Sequence, residues 1–261
     1  MQTMRTEAGA RSFSLEGETA LITGGGTGLG LGIARCMAAA GARVVLVGRR
    51  ESELERACAD IGPSAVAVPW DVTRHADAPE LVRRAEAAAG GPISILVNNA
   101  GNHLKKPAAQ TTVEEFQAVL SIHVLAAHAL TAAVAPGMTK SGRGSVLFTS
   151  SMAAFMGVPL VVAYAAAKSA CFGLVATWSA ELAPGGVRVN AIAPGWIRSA
   201  MTEAALERDP ARKAKVLGRI QLGRMGEPDD IGWAAVYLCS PAAAYVTGVT
   251  LPVDGGATAG F

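Results

Sequence analysis

The sequence has few cysteines and no long block of charge of one sign. Its four cysteines, at positions 36, 58, 171 and 239, show no paired spacing and fall in segments that we expect to be helical. This indicates reduced thiols in a cytoplasmic protein, with neither a disulfide framework nor a metal site. With 23 basic and 21 acidic residues, the formal charge of +2 is nearly balanced, and we expect no nucleic-acid partner.

We expect no secretory leader, since the first fourteen residues contain no apolar run of seven. We predict a flexible tail at 1–14 and a single domain over 15–261. The uncharged stretch 144–167 has the length of a membrane-spanning helix, but Ser150, Gly157 and Pro159 interrupt it. Because lipid tolerates a broken backbone poorly, we predict a strand, an active-site loop and a buried helix there, and no membrane partner.

Short β-branched runs alternate with longer alanine-rich stretches along the chain. This alternation is typical of a Rossmann-like, doubly wound α/β fold, in which helices cover both faces of a parallel sheet. We predict seven strands, at 20–23, 43–47, 65–69, 94–98, 145–149, 188–192 and 250–253. We predict helices at 29–40, 51–59, 76–89, 113–134 and 161–182. The charged segment 199–222 interrupts the pattern and is predicted to be a mobile helical lid over the site.

A glycine-rich loop follows the first predicted strand. The spacing Gly24-x-x-x-Gly28-x-Gly30 allows a tight turn and close approach of the backbone to a phosphate. Free N–H groups and the helix dipole then favour a pyrophosphate at the N-terminus of the next helix. The predicted cofactor-binding residues of this loop are Gly24, Gly26, Thr27, Gly28, Leu29 and Gly30. An ordinary strand-to-helix turn is the alternative, although the position after the first strand of a βαβ unit favours a dinucleotide.

No acidic residue follows the second strand, where a dinucleotide fold selects between a ribose hydroxyl and a ribose phosphate. An aspartate there would repel a 2′-phosphate, whereas this chain has Gly48-Arg49-Arg50. Arg49 can form charge-assisted hydrogen bonds to the phosphate, and so we favour NADP(H). NAD(H) is the alternative, if both arginines are only solvated residues that lead into the next helix.

Tyr164 and Lys168 are four residues apart in a predicted helix and therefore share one helix face. If that face lines a nucleotide cleft, the lysine ammonium can stabilise the tyrosine phenolate and lower a pKa that is ordinarily about 10. The tyrosine then becomes a usable proton donor and acceptor near neutral pH. Ser151 lies thirteen residues before the tyrosine.

Together these motifs resemble the short-chain dehydrogenase/reductase family over nearly the whole chain from about residue 15. The resemblance implies an enzyme, usually a homotetramer, that transfers a hydride between the cofactor and a secondary alcohol or ketone. A sugar acid, a polyol or a 3-oxoacyl compound is the implied small-molecule substrate. It further implies that Ser151 binds the reacting oxygen, that Tyr164 transfers the proton, and that Lys168 binds the nicotinamide ribose. Asn98 is implied to tie adjacent strands together, and the remaining implied cofactor contacts are Asp71, Val72, Asn99, Ala100, Gly101, Pro194, Gly195, Ile197 and Ser199.

The sequence departs from the family pattern at His123, where members usually have an asparagine that holds a water of a proton relay. A neutral imidazole can also donate and accept, so His123 is either a catalytic relay residue or a hydrogen-bonded buried histidine with a structural role. The departure also keeps open a catalytically silent dinucleotide-binding redox sensor. After the Asn-Asn-Ala-Gly turn, His103, Lys105 and Lys106 either border the substrate pocket or form a solvated loop.

Overall fold

The computed structural model describes residues 12–199, 202 and 207–260. Seven strands form one parallel sheet in the order β3-β2-β1-β4-β5-β6-β7, which confirms the predicted fold class. They are β1 (Thr19–Thr23), β2 (Arg43–Gly48), β3 (Ala65–Pro69), β4 (Ile95–Asn98), β5 (Gly144–Thr149), β6 (Val187–Pro194) and β7 (Thr250–Val253). The strand order reverses between β1 and β4, and ligands of such sheets bind beside that reversal, at the carboxyl ends of the strands.

Helices cover both faces of the sheet. They are α1 (Gly28–Ala39), α2 (Glu51–Ile61), α3 (Ala78–Ala89), α4 (Val113–Leu120), α5 (Ala126–Ser141), α6 (Val162–Leu182), α7 (Pro210–Arg219) and α8 (Pro228–Cys239). Successive strand residues point to opposite faces: Leu21 lies in the core with α3, α5 and α6, and Ile22 lies in the core with α1, α2 and α8. Both faces are buried, which is why the strands read as continuous apolar runs.

The helix predicted over 113–134 differs most from the structure. It is interrupted by a π-helical turn at Ser121–Leu125, and it continues past Pro136 to Ser141. Ala132 and Pro136 are both exposed, so the carbonyl group that the proline leaves without a helical partner faces solvent. The other predicted strands and helices agree with the structure to within two residues at each end.

The combined helix Val113–Ser141 is long and apolar enough to cross a membrane by length and composition alone. In the structure it packs Leu130, Val134 and Met138 into the core beneath the sheet. Core helices of globular domains can be equally long and apolar. Because its apolar side chains are buried, this helix is a core helix.

The predicted tail and lid fall partly outside the described residues, namely at 1–11, 200–201 and 203–206. In the described part of the lid, the carboxylate of Asp209 accepts the N–H of Arg212 at 3.0 Å and so caps α7. Val216 and Ile220 of this segment pack against Met225 and Ala257 in a small separate core. The predicted mobility of the lid stays a prediction.

Candidate active site

A pocket of about 510 Å³ lies at the carboxyl ends of β1, β2, β4 and β5. The fold therefore brings together motifs that are far apart in the sequence. The predicted site residues that line it are Gly24, Gly26, Thr27, Gly28, Leu29, Gly30, Arg49, Asp71, Val72, Asn99, Ala100, Gly101, His123, Tyr164 and Lys168.

The glycine loop fits the pyrophosphate of a dinucleotide. Gly24 and Gly28 have φ angles of 66° and 54°, in the left-handed region that favours glycine. A Cβ at Gly30 would lie 2.2 Å from the carbonyl oxygen of Gly24. The first turn of α1 contains no acidic residue, and Thr27 makes no side-chain cap there. The N–H groups of this helix end are therefore available for an anion.

Thr23 holds the glycine loop against the turn that follows β4. Its hydroxyl oxygen accepts the N–H groups of Asn99 at 2.9 Å and Ala100 at 3.0 Å, and donates to the carbonyl oxygen of Val97 at 3.2 Å. The side-chain amide of Asn99 donates in return to the carbonyl oxygen of Thr23 at 3.0 Å. Sequence reasoning missed this bridge, although Thr23 is the first residue of the glycine motif.

Arg49 and Asp71 lie near each other in the pocket. Asp71 accepts hydrogen bonds from the N–H group of Thr73 at 2.9 Å and from its hydroxyl at 2.8 Å. These bonds lower the pKa of the Asp71 carboxyl group, with a smaller contribution from the charge of Arg49. Arg49 is exposed and makes no ion pair within the described part of the chain, whereas the neighbouring Glu53 is paired with Arg56 at 2.6 Å. Arg49 is thus available to bind a phosphate.

Tyr164 lies in the first turn of α6, with the Ser151 hydroxyl close enough to influence the pKa of its phenol. Ser151 is buried, and its hydroxyl oxygen also accepts the N–H of Ala153 at 3.1 Å. Burial raises the pKa of the Tyr164 phenol, and the nearby Ser151 hydroxyl opposes that rise. The catalytic roles implied for the two residues stay a prediction.

Lys168 lies one turn further along α6 and is only 5% exposed. Its ammonium donates to the carbonyl oxygen of Thr149 at 2.5 Å and lies 5.5 Å from the centre of the Tyr164 ring. Burial lowers the pKa of Lys168 to about 8. The predicted lowering of the tyrosine pKa is not seen, because the ammonium is directed at Thr149 and burial of the phenol dominates.

The π-helical turn buries His123 beside the same tyrosine. The ring meets Tyr164 edge-on, with the centroids 5.4 Å apart. Burial, together with the charge of Lys168, lowers the pKa of His123 to about 3, so the imidazole is neutral at physiological pH. A Cβ at Gly101 would lie 2.3 Å from Cε1 of His123. The position of the histidine therefore requires glycine at 101.

A buried cavity of about 10 Å³ lies next to His123, which is about the space for one water. Asn98, His123 and Lys168 all line it. Within the described residues, Oδ1 of Asn98 and Nδ1 of His123 are buried without a hydrogen-bond partner. The amide nitrogen of Asn98 donates to the hydroxyl of Thr131 at 3.1 Å, and so Asn98 ties β4 to α5. The expectation that it ties adjacent strands was wrong, since Thr23 fills that role.

Four predicted cofactor contacts lie outside the large pocket, at Pro194, Gly195, Ile197 and Ser199. Pro194 ends β6, and the N–H of Gly195 continues the ladder to β7. Ile197 lines a separate pocket of about 170 Å³, and the hydroxyl of Ser199 lies 2.6 Å from that of Thr202. Their contacts with the nicotinamide stay a prediction.

The loop after Gly101 contributes a residue that the sequence left undecided. The ring of His103 stacks on Tyr164, with the centroids 4.3 Å apart and the planes at 30°. Lys106 is directed away, since its ammonium binds the carboxylate of Glu115 at 2.9 Å. His103 thus lines the pocket whereas Lys106 does not. No periodic pattern could indicate this, because the loop is irregular.

Known proteins match this chain along almost its entire length. A family model described as enoyl-(acyl carrier protein) reductase matches residues 24–258. The chain is 39% identical over 249 residues to the 2-dehydro-3-deoxy-D-gluconate 5-dehydrogenase of Bacillus subtilis, which covers 94% of this chain and 96% of that protein. It is 39% identical over 250 residues to the galactitol 2-dehydrogenase (L-tagatose-forming) of Cereibacter sphaeroides, with 94% and 97% covered.

The solved structures agree with this result. A gluconate 5-dehydrogenase from Burkholderia cenocepacia, in complex with NADP and tartrate, superposes with a TM-score of 0.90 at 34% identity, over 97% of this chain and 100% of that chain. Because the similarity spans both the sheet and the site at such identity, the chain belongs to the short-chain dehydrogenase/reductase family and is an NAD(P)-dependent oxidoreductase that acts on CH–OH groups, as its motifs predicted.

Proposed function

We propose that this protein transfers a hydride between NADP(H) and a secondary alcohol or ketone of a sugar acid or polyol. The observation that carries the proposal is the geometry around Tyr164, which lines one pocket with Lys168 and the glycine loop. The names of the relatives, which act on 2-dehydro-3-deoxy-D-gluconate and galactitol, support this substrate class. A 3-oxoacyl compound is the alternative substrate.

In this proposal the nicotinamide supplies or accepts the hydride when it is bound. Ser151 donates a hydrogen bond to the reacting oxygen and fixes its position. Tyr164 protonates that oxygen in reduction and takes the hydroxyl proton in oxidation. Lys168, whose pKa of about 8 leaves it mostly charged at neutral pH, binds the ribose hydroxyls and favours the phenolate as the proton leaves.

Arg49 supports NADP(H) over NAD(H). Its guanidinium lines the pocket beside Gly48, the position at which an acidic side chain would repel a 2′-phosphate, and the nearby Glu53 is paired with Arg56. A phosphate at this position would gain a charge-assisted hydrogen bond that a ribose hydroxyl does not need.

His123 fits a relay residue. Its Nε2 lies 2.9 Å from the carbonyl oxygen and 3.1 Å from the nitrogen of Asn102. When Nε2 carries the proton it donates to that oxygen, and when it does not it accepts from that N–H, so both neutral tautomers are satisfied. Nδ1 can then accept from or donate to a water in the small cavity beside Lys168. Such a water would connect Lys168 and Tyr164, through hydrogen bonds, to the interior of the protein.

We further propose a cytoplasmic homotetramer. Among the large apolar side chains that are exposed in the described chain, Leu125 lies near α5, and Trp233, Tyr245 and Val249 lie near α8 and β7. Two such surfaces are what a tetramer with more than one symmetry axis would bury. Light scattering on the purified protein should give the mass of four chains.

The test of the proposed function is nicotinamide absorbance during incubation with ketones, sugar acids, polyols and acyl thioesters, each with NADPH or NADP and with NADH or NAD. We expect a polyhydroxylated substrate to be turned over with NADP(H). Tyr164→Phe should lower kcat about 10²- to 10⁴-fold, the range for loss of a general acid, and leave NADPH affinity unchanged. Tyr245→Phe is the control, because this tyrosine does not line the pocket. Silence across the panel despite NADPH binding would instead favour a redox sensor.

A further inference from the structure

We propose that His103 determines specificity by hydrogen-bonding a substrate hydroxyl on the carbon next to the reacting carbon. This inference rests on the proposed function, because it assigns a substrate contact at the same site. The position of the His103 ring supports it first. The imidazole of His103 stacks on the ring of Tyr164, 4.3 Å between centroids, and lines the pocket. Since the Tyr164 hydroxyl must contact the reacting oxygen, a ring against that tyrosine borders the atoms bonded to the reacting carbon.

The loop that carries His103 is fixed on both sides. On one side, the N–H of Asn102 donates to Nε2 of the buried His123 at 3.1 Å. On the other, the N–H of Lys106 donates to the carbonyl oxygen of Leu160 at 2.8 Å. Leu160 has a φ of 71°, an uncommon left-handed conformation for a branched side chain, and so the partner segment is held in a defined shape. His103 is thus positioned by both neighbouring segments and does not depend on loop motion.

The chemistry of the loop favours a hydroxyl over a carboxylate as the group that His103 recognises. The charge of Lys106 is already paired with Glu115. Although His103 is exposed as a residue, burial of its ring against the pocket and the charge of Lys168 lower its pKa, which favours the neutral imidazole. A neutral imidazole has one donor and one acceptor, which matches a hydroxyl group. A carboxylate would need a cation there.

The stacking itself has an alternative role, which is to hold Tyr164 in place without contacting the substrate. Two variants separate the roles. His103→Phe keeps an aromatic ring on Tyr164 and removes the hydrogen bond, whereas His103→Gln keeps a donor and an acceptor and removes the stacking. Each variant is assayed in the full-length protein with NADPH on two ketones that differ by one group, 3-hydroxy-2-butanone and 2-butanone, and on the best polyhydroxylated substrate of the panel.

We expect the unmodified protein to prefer 3-hydroxy-2-butanone to 2-butanone in kcat/KM. His103→Phe should lower kcat/KM about tenfold for the hydroxyketone and for the polyhydroxylated substrate, and leave 2-butanone within about threefold, as for one lost hydrogen bond. His103→Gln should retain most of the preference. An equal loss on both ketones in His103→Phe, or equal reduction of both ketones by the unmodified protein, overturns the specificity role alone. Failure of every ketone in the unmodified protein overturns the proposed function and this inference with it.

Discussion

The cofactor end of the pocket is made largely of backbone, whereas the substrate end is made of side chains from separate segments. At the cofactor end, Gly24, Gly28 and Gly30 shape the loop before α1 and line the pocket with their backbone. At the substrate end, the rings of His103 and His123 meet Tyr164 on its face and on its edge. A site made of backbone depends on the spacing of glycines within a few residues. In a site made of side chains, by contrast, aromatic residues can be substituted while the sheet stays intact. Changes at the two ends should therefore have different consequences.

The largest effect on stability is expected at the cofactor end, for Gly30→Ala. The new Cβ would lie 2.2 Å from the carbonyl oxygen of Gly24, so the loop must shift. We expect a loss of about 1–3 kcal/mol in the free energy of unfolding, as for overpacking, together with weaker NADPH binding. Urea unfolding and a binding titration measure the two effects. Gly173→Ala is the matched control, since a Cβ added at that helical position would meet no neighbouring atom within 4 Å. This variant should gain up to about 1 kcal/mol in the free energy of unfolding.

If Gly30→Ala unfolds at the same urea concentration as the parent and binds NADPH equally well, the cofactor end is not built from backbone in the way proposed. A destabilised Gly173→Ala would show that the unfolding assay reports alanine substitution in general, and the comparison of the two ends would then lose its basis.

Arg49 is the side chain at the cofactor end on which the proposed preference for NADP(H) over NAD(H) depends. Arg49→Ala should weaken NADPH binding about 10- to 100-fold, the equivalent of about 1.5–3 kcal/mol for a hydrogen bond to a charged group, and leave NADH binding unchanged. Arg50→Ala is the matched control, because Arg50 lies 4.0 Å from the carboxylate of Glu53. Dissociation constants from protein fluorescence would measure both. Equal NADPH affinity in Arg49→Ala would remove Arg49 from the argument for NADP(H).

The contrast also explains how much the sequence could predict. The seven strands, the glycine loop and the Tyr164 and Lys168 pair depend on periodicity or on spacing within one element, and the structure contains all of them. The π-helical turn and the stacking of His103 depend on contacts between segments. Lys168 shows the same limit, because its helix position was predictable and its bond to the Thr149 carbonyl was not. Local pattern predicts elements, and tertiary contacts decide where a side chain points.

The smallest effect is expected at the substrate end, for His123. His123→Phe removes the nitrogen beside the small cavity and should lower kcat about tenfold at neutral pH, toward the low side of proton-transfer effects, with NADPH affinity unchanged. His123→Asn restores a donor and an acceptor and should retain most of the activity, since the family pattern has asparagine there. Both variants are compared by kcat across pH and by thermal unfolding. If the two lose activity equally and unfold at the same lower temperature, His123 has only a structural role, and the substrate end depends on ring packing alone.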